Sequence, residues 1–153
     1  DIFSKGDFFG FNAIIEDRNY SDNADTLEET DLMLIPREEF LSLFTNDAQV
    51  SKHFIKLITK NVFEKEEALI NLAYNSLRKK VAFGLIRVLE KYRNEKADNS
   101  ISELSRENLA QLIGVATESL IRTLADFKSE GLINLEPSKI IIINEKKLRD
   151  LPC

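Results

Sequence analysis

Tryptophan is absent from this 153-residue sequence, and cysteine and histidine occur once each. With Cys153 alone, an intrachain disulfide framework and a cysteine-based metal site are both excluded. With His53 alone, a nucleophile–histidine relay has a single residue to be built on, and a zinc site of the usual kind lacks ligands. No apolar run approaches the roughly 20 residues that a membrane helix requires, and there is no signal-peptide pattern. These absences point away from an enzyme, a metal or cofactor centre and a membrane partner. What is present is the composition of an ordinary globular chain, 43% hydrophobic and 31% charged, sized for one domain or two small ones.

Charge is distributed unevenly. Residues 1–75 carry 7 Lys or Arg against 15 Asp or Glu, whereas residues 76–153 carry 14 against 11. The net of −5 is therefore an acidic first half joined to a mildly basic second half. Either the two parts meet different partners, or surface charge simply varies.

Residues 1–44 read as short strands and loops. Gly6 and Asp7 look like a turn between apolar segments, and residues 32–35 (Leu-Met-Leu-Ile) read as a short buried strand ended by Pro36. Pro36 then opens a short helix with Glu38 and Glu39 in its first turn. The chain opens at Asp1, one apolar segment before a tight turn, and this predicts that an N-terminal portion precedes it. The segment is too small to hold an independent β-domain core.

Residues 46–73 contain neither Gly nor Pro and read as one long helix. Ile55, Ile58, Val62, Lys65, Leu69 and Leu72 are spaced alternately three and four apart, the seam that pairs two helices as a coiled coil over about three heptads. A second stripe, Val50, Phe54, Leu57 and Phe63, lies partly off the seam and is expected to pack on the β-segment. A helix buried in one globular domain is the alternative to dimerisation. Lys65 is the polar member of the seam. It either snorkels to water, fixes the register or meets an anion. Tyr74, Asn75 and Ser76 predict a bend, followed by an amphipathic helix over residues 76–93. Its apolar face is Val81, Leu85, Val88 and Leu89, and its basic side is Arg78, Lys79, Lys80 and Arg87. Residues 94–99 read as a polar loop.

Residues 101–133 carry the most informative pattern. Ser105 predicts a helix cap, with Leu109, Leu112 and Ile113 facing inward. Gly114 supplies a left-handed turn, Val115 plugs the corner, and Thr117 caps a second helix with Leu120, Leu124 and Phe127 inward. Two short helices joined through a glycine turn form a helix-turn-helix. Two β-branched-rich segments around the turn Glu136, Pro137, Ser138 and Lys139 then form a wing. The outward residues of the second helix are Thr117, Glu118, Ser119, Ile121 and Arg122. Arg can donate two bonds to guanine and Glu can accept from cytosine, so Glu118 and Arg122, four apart on one face, suit base edges in the major groove. Ser105, Ser119 and Lys139 suit phosphates. The plainer alternative is an i,i+4 ion pair between Glu118 and Arg122 on a solvated helix. A helical protein-interaction or sensor module without DNA binding is the rival function.

On these residues the sequence resembles the Crp/Fnr family of bacterial transcription regulators over nearly its whole length. Gly6, Asp7, Phe8, Phe9 and Gly10 resemble the glycine-bounded turn of that family's cyclic-nucleotide-type β-roll. Residues 30–40 resemble its closing strand and short helix, the seam helix its dimerisation helix, and residues 104–133 its DNA-reading motif. The resemblance implies a mainly helical α+β fold: part of a β-roll sensor domain at 1–44, a dimerisation helix at 45–75, and a winged helix-turn-helix at 76–153. It implies a cytoplasmic homodimer that reads a pseudo-palindromic operator in double-stranded DNA, with RNA polymerase as a further partner and an effector acting on the β-roll.

Carried over residue by residue, the resemblance alters the expected effector. Where nucleotide-binding members have a Glu after the cassette glycine, here Gly10, this chain has Phe11. Where they have an Arg–Ser pair for the cyclic phosphate, it has Tyr20 and Ser21, with Arg18 displaced by two positions. Their purine-contacting hydroxyl residues align with Lys65 and Glu66. Without that Arg the phosphate loses charge-assisted bonds, so cyclic AMP is not the expected effector. The loop of Gly10, Phe11, Arg18, Tyr20 and Ser21 is left as an anion site or a plain surface loop. Glu118 and Arg122 match the family's two main base-reading positions. Thr117 stands where the cyclic-AMP-responsive members have Arg.

Overall fold

The computed structural model describes residues 2–93, 99–102 and 104–152. Its contacts divide into two compact units, Phe9–Leu69 and Asp1–Phe8 with Ile70–Cys153.

The first unit is helical: α1 (Phe11–Ile15), α2 (Arg37–Asn46) and most of α3 (Ala48–Tyr74). Its core is aromatic. The Phe54 ring meets Phe11, Phe40 and Phe44 edge-on at centroid distances of 5.0, 5.1 and 5.7 Å, the favoured geometry for such rings. Pro36 caps α2, with Glu38 and Glu39 in the first turn. The helix expected over 46–73 is cut at its start by Asp47, whose carboxylate accepts the N–H groups of Gln49 and Val50 at 2.8 and 3.1 Å. Asp47 is thereby an N-cap, a role its residue type favours. Phe63 is exposed, so the second stripe is buried only at Phe54 and partly at Leu57.

Residues 32–35 overturn an expectation. They are neither a strand nor buried, with Met33 88% and Leu34 90% exposed. A strand needs a neighbour to pair its backbone groups, and among the described residues none lies beside it. The expected β-roll remnant at 1–44 accordingly contains no strand among its described residues. Gly6 does take a turn conformation, at φ +86°, closed by the Asp7 N–H to the Ser4 carbonyl at 2.9 Å, but no paired strands flank it.

The second unit holds α4 (Leu77–Arg93), β1 (Ser100–Ser102), α5 (Arg106–Ile113), α6 (Thr117–Ser129), β2 (Ile133–Leu135), β3 (Lys139–Ile142) and α7 (Glu145–Arg149). The three strands form an antiparallel sheet in the order β1-β3-β2. The bend falls where expected. Asn75 and Ser76 are non-helical, and the Ser76 hydroxyl accepts the Lys79 N–H at 3.3 Å. The apolar face of α4, Val81, Leu85, Val88 and Leu89, is sealed against Leu109, Leu120, Leu124, Phe127, Ile133 and Ile140. The hairpin β2–β3 turns through residues 136–138, its ends pairing Leu135 with Ile140.

Two elements lie outside the sequence reading. β1 is three residues of Ser-Ile-Ser, too short to show a period, and owes its existence to pairing with β3. α7 is a helix of five residues, capped by the Asn144 side chain, which accepts the Lys147 N–H at 3.0 Å. Leu148 from α7 enters the core, and Arg93, Glu145, Arg149 and Glu90 form a chain of ion pairs over it. Hydrogen bonds from Arg93 and then Arg149 hold the Glu145 carboxyl below its usual value.

α4 and α5 approach closely because residue 84 is glycine. A Cβ there would fall inside the shell of Ile113, 2.8 Å from its Cδ1. Gly84→Ala should therefore lose stability by about 1–3 kcal/mol from overpacking, more than the roughly 1 kcal/mol that alanine returns in helix propensity. A denaturant midpoint that stays unchanged or rises would contradict this packing.

Candidate nucleic-acid interface

α5 begins as its sequence predicts. The Ser105 hydroxyl accepts the Asn108 N–H at 3.0 Å, satisfying one of the orphan donors of the first turn. It ends at Gly114, with φ 76° and ψ 39°. There the Val115 N–H reaches the Ala110 carbonyl and the Gly114 N–H the Gln111 carbonyl, at 3.0 and 3.2 Å, the two bonds of a Schellman closure. A side chain at 114 would be strained by the positive φ and would stand 3.0 Å from Leu72 Cδ1. Val115 is half-buried on the core, as the corner requires.

α6 corrects one expectation. Its N-cap is Ala116, with no side-chain cap bond, and Thr117 is the first helical residue. Propensity favours a hydroxyl cap, but the Gly114 turn sets the register and puts Thr117 one position too late. The inward stripe is as expected. Leu120, Leu124 and Phe127 are at most 1% exposed, and Thr123 is buried with its hydroxyl donating to the Ser119 carbonyl at 2.8 Å. At 3.6 residues per turn, this stripe forces Glu118, Ile121, Arg122 and Ala125 to the opposite side, and all four are exposed. Neither Glu118 nor Arg122 bonds to a described residue through its side chain, so the ion pair between them is not formed.

The far end of α6 is held by α4. The Arg78 guanidinium donates to both carboxylate oxygens of Glu130 at 2.8 Å and lies over the Phe127 ring, 5.0 Å from its centroid. Lys79 donates to the Arg149 carbonyl at 2.5 Å. Part of the basic side expected on α4 is thus spent inside the unit.

Of the three phosphate candidates, Ser105 and Lys139 are exposed and Ser119 is half-buried. Ser105 lines a shallow cleft with Leu104, Arg106, Pro137 and Ser138, which brings the start of α5 and the wing turn together. Arg106 is a further cation at this cleft. Partial burial draws its pKa below the ordinary arginine value, and its adjacency to the Ser105 cap is the sequence signal for it.

The seam residues all lie on α3. Ile55, Val62, Lys65, Leu69 and Leu72 are exposed and Ile58 is half-buried. The loop residues do not converge on a site. Phe11 belongs to the aromatic core, Arg18 pairs with Glu16, and Ser21 donates to Asp22 at 3.2 Å. Tyr20 is exposed, with its ring edge against Gly10. No group of three or more His, Cys, Asp or Glu among the described residues could hold a metal. No helix is long and apolar enough to cross a membrane.

Comparison with known proteins follows the same lines. Residues 79–151 match the Crp-like helix-turn-helix domain. The CRP-like cAMP-activated global transcriptional regulator of Mycobacterium tuberculosis is 23% identical over 149 residues, covering 96% of this chain and 66% of that protein. The cyclic AMP receptor protein of Thermus thermophilus is 23% identical over 150 residues, covering 98% and 67%. The chain fits a Crp/Fnr family regulator. Among solved structures with the Crp/Fnr fold, FixK2 from Bradyrhizobium japonicum has a TM-score of 0.69 at 17% identity, covering 78% of this chain and 60% of that one. A CRP/FNR family transcriptional regulator from Thermus thermophilus has 0.60 at 20%, covering 68% and 54%. The chain thus spans about two thirds of the length of these curated Crp/Fnr relatives.

Arg78→Ala should lower the denaturant midpoint by the equivalent of about 1–2 kcal/mol, because a bidentate ion pair and a cation–π contact are lost together. Arg78→Lys should recover only part of the loss, since an ammonium lacks the planar guanidinium face that lies over Phe127. Full recovery with lysine would show that charge alone matters.

Proposed function

We propose that this chain is a sequence-specific DNA-binding transcription regulator that acts as a homodimer. The observation that carries this reading is the outward face of α6. Glu118 and Arg122 stand exposed there, with no side-chain partner among the described residues, on a helix whose rotation is set by a buried stripe. Arg122 reads guanine through O6 and N7, Glu118 accepts from cytosine N4, and Thr117 flanks them at the helix start. Ser105, Ser119 and Lys139 hold phosphates on either side, with Arg106 adding charge beside Ser105. A helix in the groove and a wing beside it match the way such motifs dock.

Two copies pair through Ile55, Ile58, Val62, Lys65, Leu69 and Leu72. The exposure of five of these six supports a seam that awaits its partner. Pairing holds two α6 helices about one DNA turn apart, near 34 Å, so that the operator is a pseudo-palindrome. Residues 1–44 are part of a sensor domain, and an effector acting on it shifts the population between two arrangements through the bend at residues 74–76. Cyclic AMP is not that effector. Phe11 packs in an aromatic core, Arg18 pairs with Glu16 and Ser21 with Asp22, so the described residues of this loop form no charge-assisted cradle for a cyclic phosphate. RNA polymerase is the further partner, and the cytoplasm the site of action.

On a duplex selected from a random pool, Arg122→Ala should cost about 1–3 kcal/mol of specific affinity and much less on random DNA. An equal loss on both would contradict base reading. Leu69→Glu should convert a dimer to a monomer by light scattering; an unchanged mass would remove the seam.

A further inference from the structure

Ile121 is the one large apolar side chain on the outward face of α6, and it is 52% exposed. The helix does not need it there. Leu120, Leu124 and Phe127 already supply the apolar stripe, and Ile is a poorer helix former than Ala or the charged residues that usually fill a solvated position. Ile121 is three residues after Glu118 and next to Arg122, so it shares the face on which those two are proposed to meet base edges. A branched hydrocarbon at that place cannot donate or accept a hydrogen bond. Any base edge brought against it loses water from its polar groups without replacement, at a cost. One group on the major-groove edge of DNA escapes that cost, the C5-methyl of thymine.

We propose that Ile121 reads a thymine methyl group, so that each operator half-site contains an A·T pair whose thymine faces residue 121, beside the pair read by Arg122. This deepens the DNA-reading role of α6 and rests on it. The specificity lies in the methyl itself: Ile121 gains an apolar contact with it that cytosine, with only hydrogen at C5, does not offer.

The probe is deoxyuridine, which differs from thymidine only by that methyl. After selection of the preferred duplex with the full chain, each thymine of a half-site is replaced in turn by uracil. Binding of the chain, Ile121→Ser and Arg122→Ala is then measured at fixed salt. At one thymine, uracil should weaken the unsubstituted chain about threefold to fivefold, the value of one buried methyl. Ile121→Ser should show no loss there and should bind thymine and uracil duplexes alike. Circular dichroism should match between variants, since residue 121 is outside the core. If specific binding is found, Arg122→Ala weakens it and no uracil matters, Ile121 reads no methyl and the proposal is overturned while the DNA-reading role stands. If Ile121→Ser keeps the uracil penalty, another residue reads the methyl, with the same consequence. If no duplex is enriched at all, the DNA-reading role falls and this proposal with it.

Discussion

Everything the second unit can do depends on the rotation of α6, and that rotation is set by burial. Leu120, Leu124 and Phe127 are sealed against α4 and the sheet. Turning the helix by one residue, about 100°, would expose a phenylalanine and two leucines, at a cost of several kcal/mol. Thr123 is buried beside them, its hydroxyl satisfied within the helix by the Ser119 carbonyl at 2.8 Å. The side chains available for recognition are therefore chosen by the core: what is not buried on this helix is presented, Glu118, Ile121, Arg122 and Ala125 among them.

Two close approaches keep that geometry. Gly84 lets α4 lie against Ile113 of α5, and Gly114 lets the chain reverse between α5 and α6 beside Leu72. At the other end of α6, Arg78 ties Glu130 and covers Phe127. α6 is thus held at both ends and along its inner face. This is the condition for a side chain to meet a base edge without a large ordering cost at binding.

Much of this was legible in the residues. The helix-turn-helix could be read because each local signal agreed with the next: a serine cap, a glycine at the left-handed position, and leucines at helical spacing. The wing could be read because isoleucines flanked a turn containing proline. The cap of α6 was misread because residue type pointed to Thr117, while the Gly114 turn ended one residue earlier at Ala116. β1 and α7 carry too few residues to show a period, and both exist through tertiary pairing and capping. Residues 32–35 have the composition of a strand and are not one, since strand formation depends on a neighbour that local sequence does not supply. In the loop of Arg18 and Ser21, the local acids Glu16 and Asp22 occupy the groups that an anion would need.

The central claim is that the outward face of α6 lies in the major groove, and dimethyl sulfate tests it directly because it methylates guanine N7 on that groove's edge. On a selected duplex bound by this chain, guanines within each half-site should be protected, and protection at one of them should vanish with Arg122→Ala. A bound duplex whose half-site guanines all remain fully reactive would contradict the account.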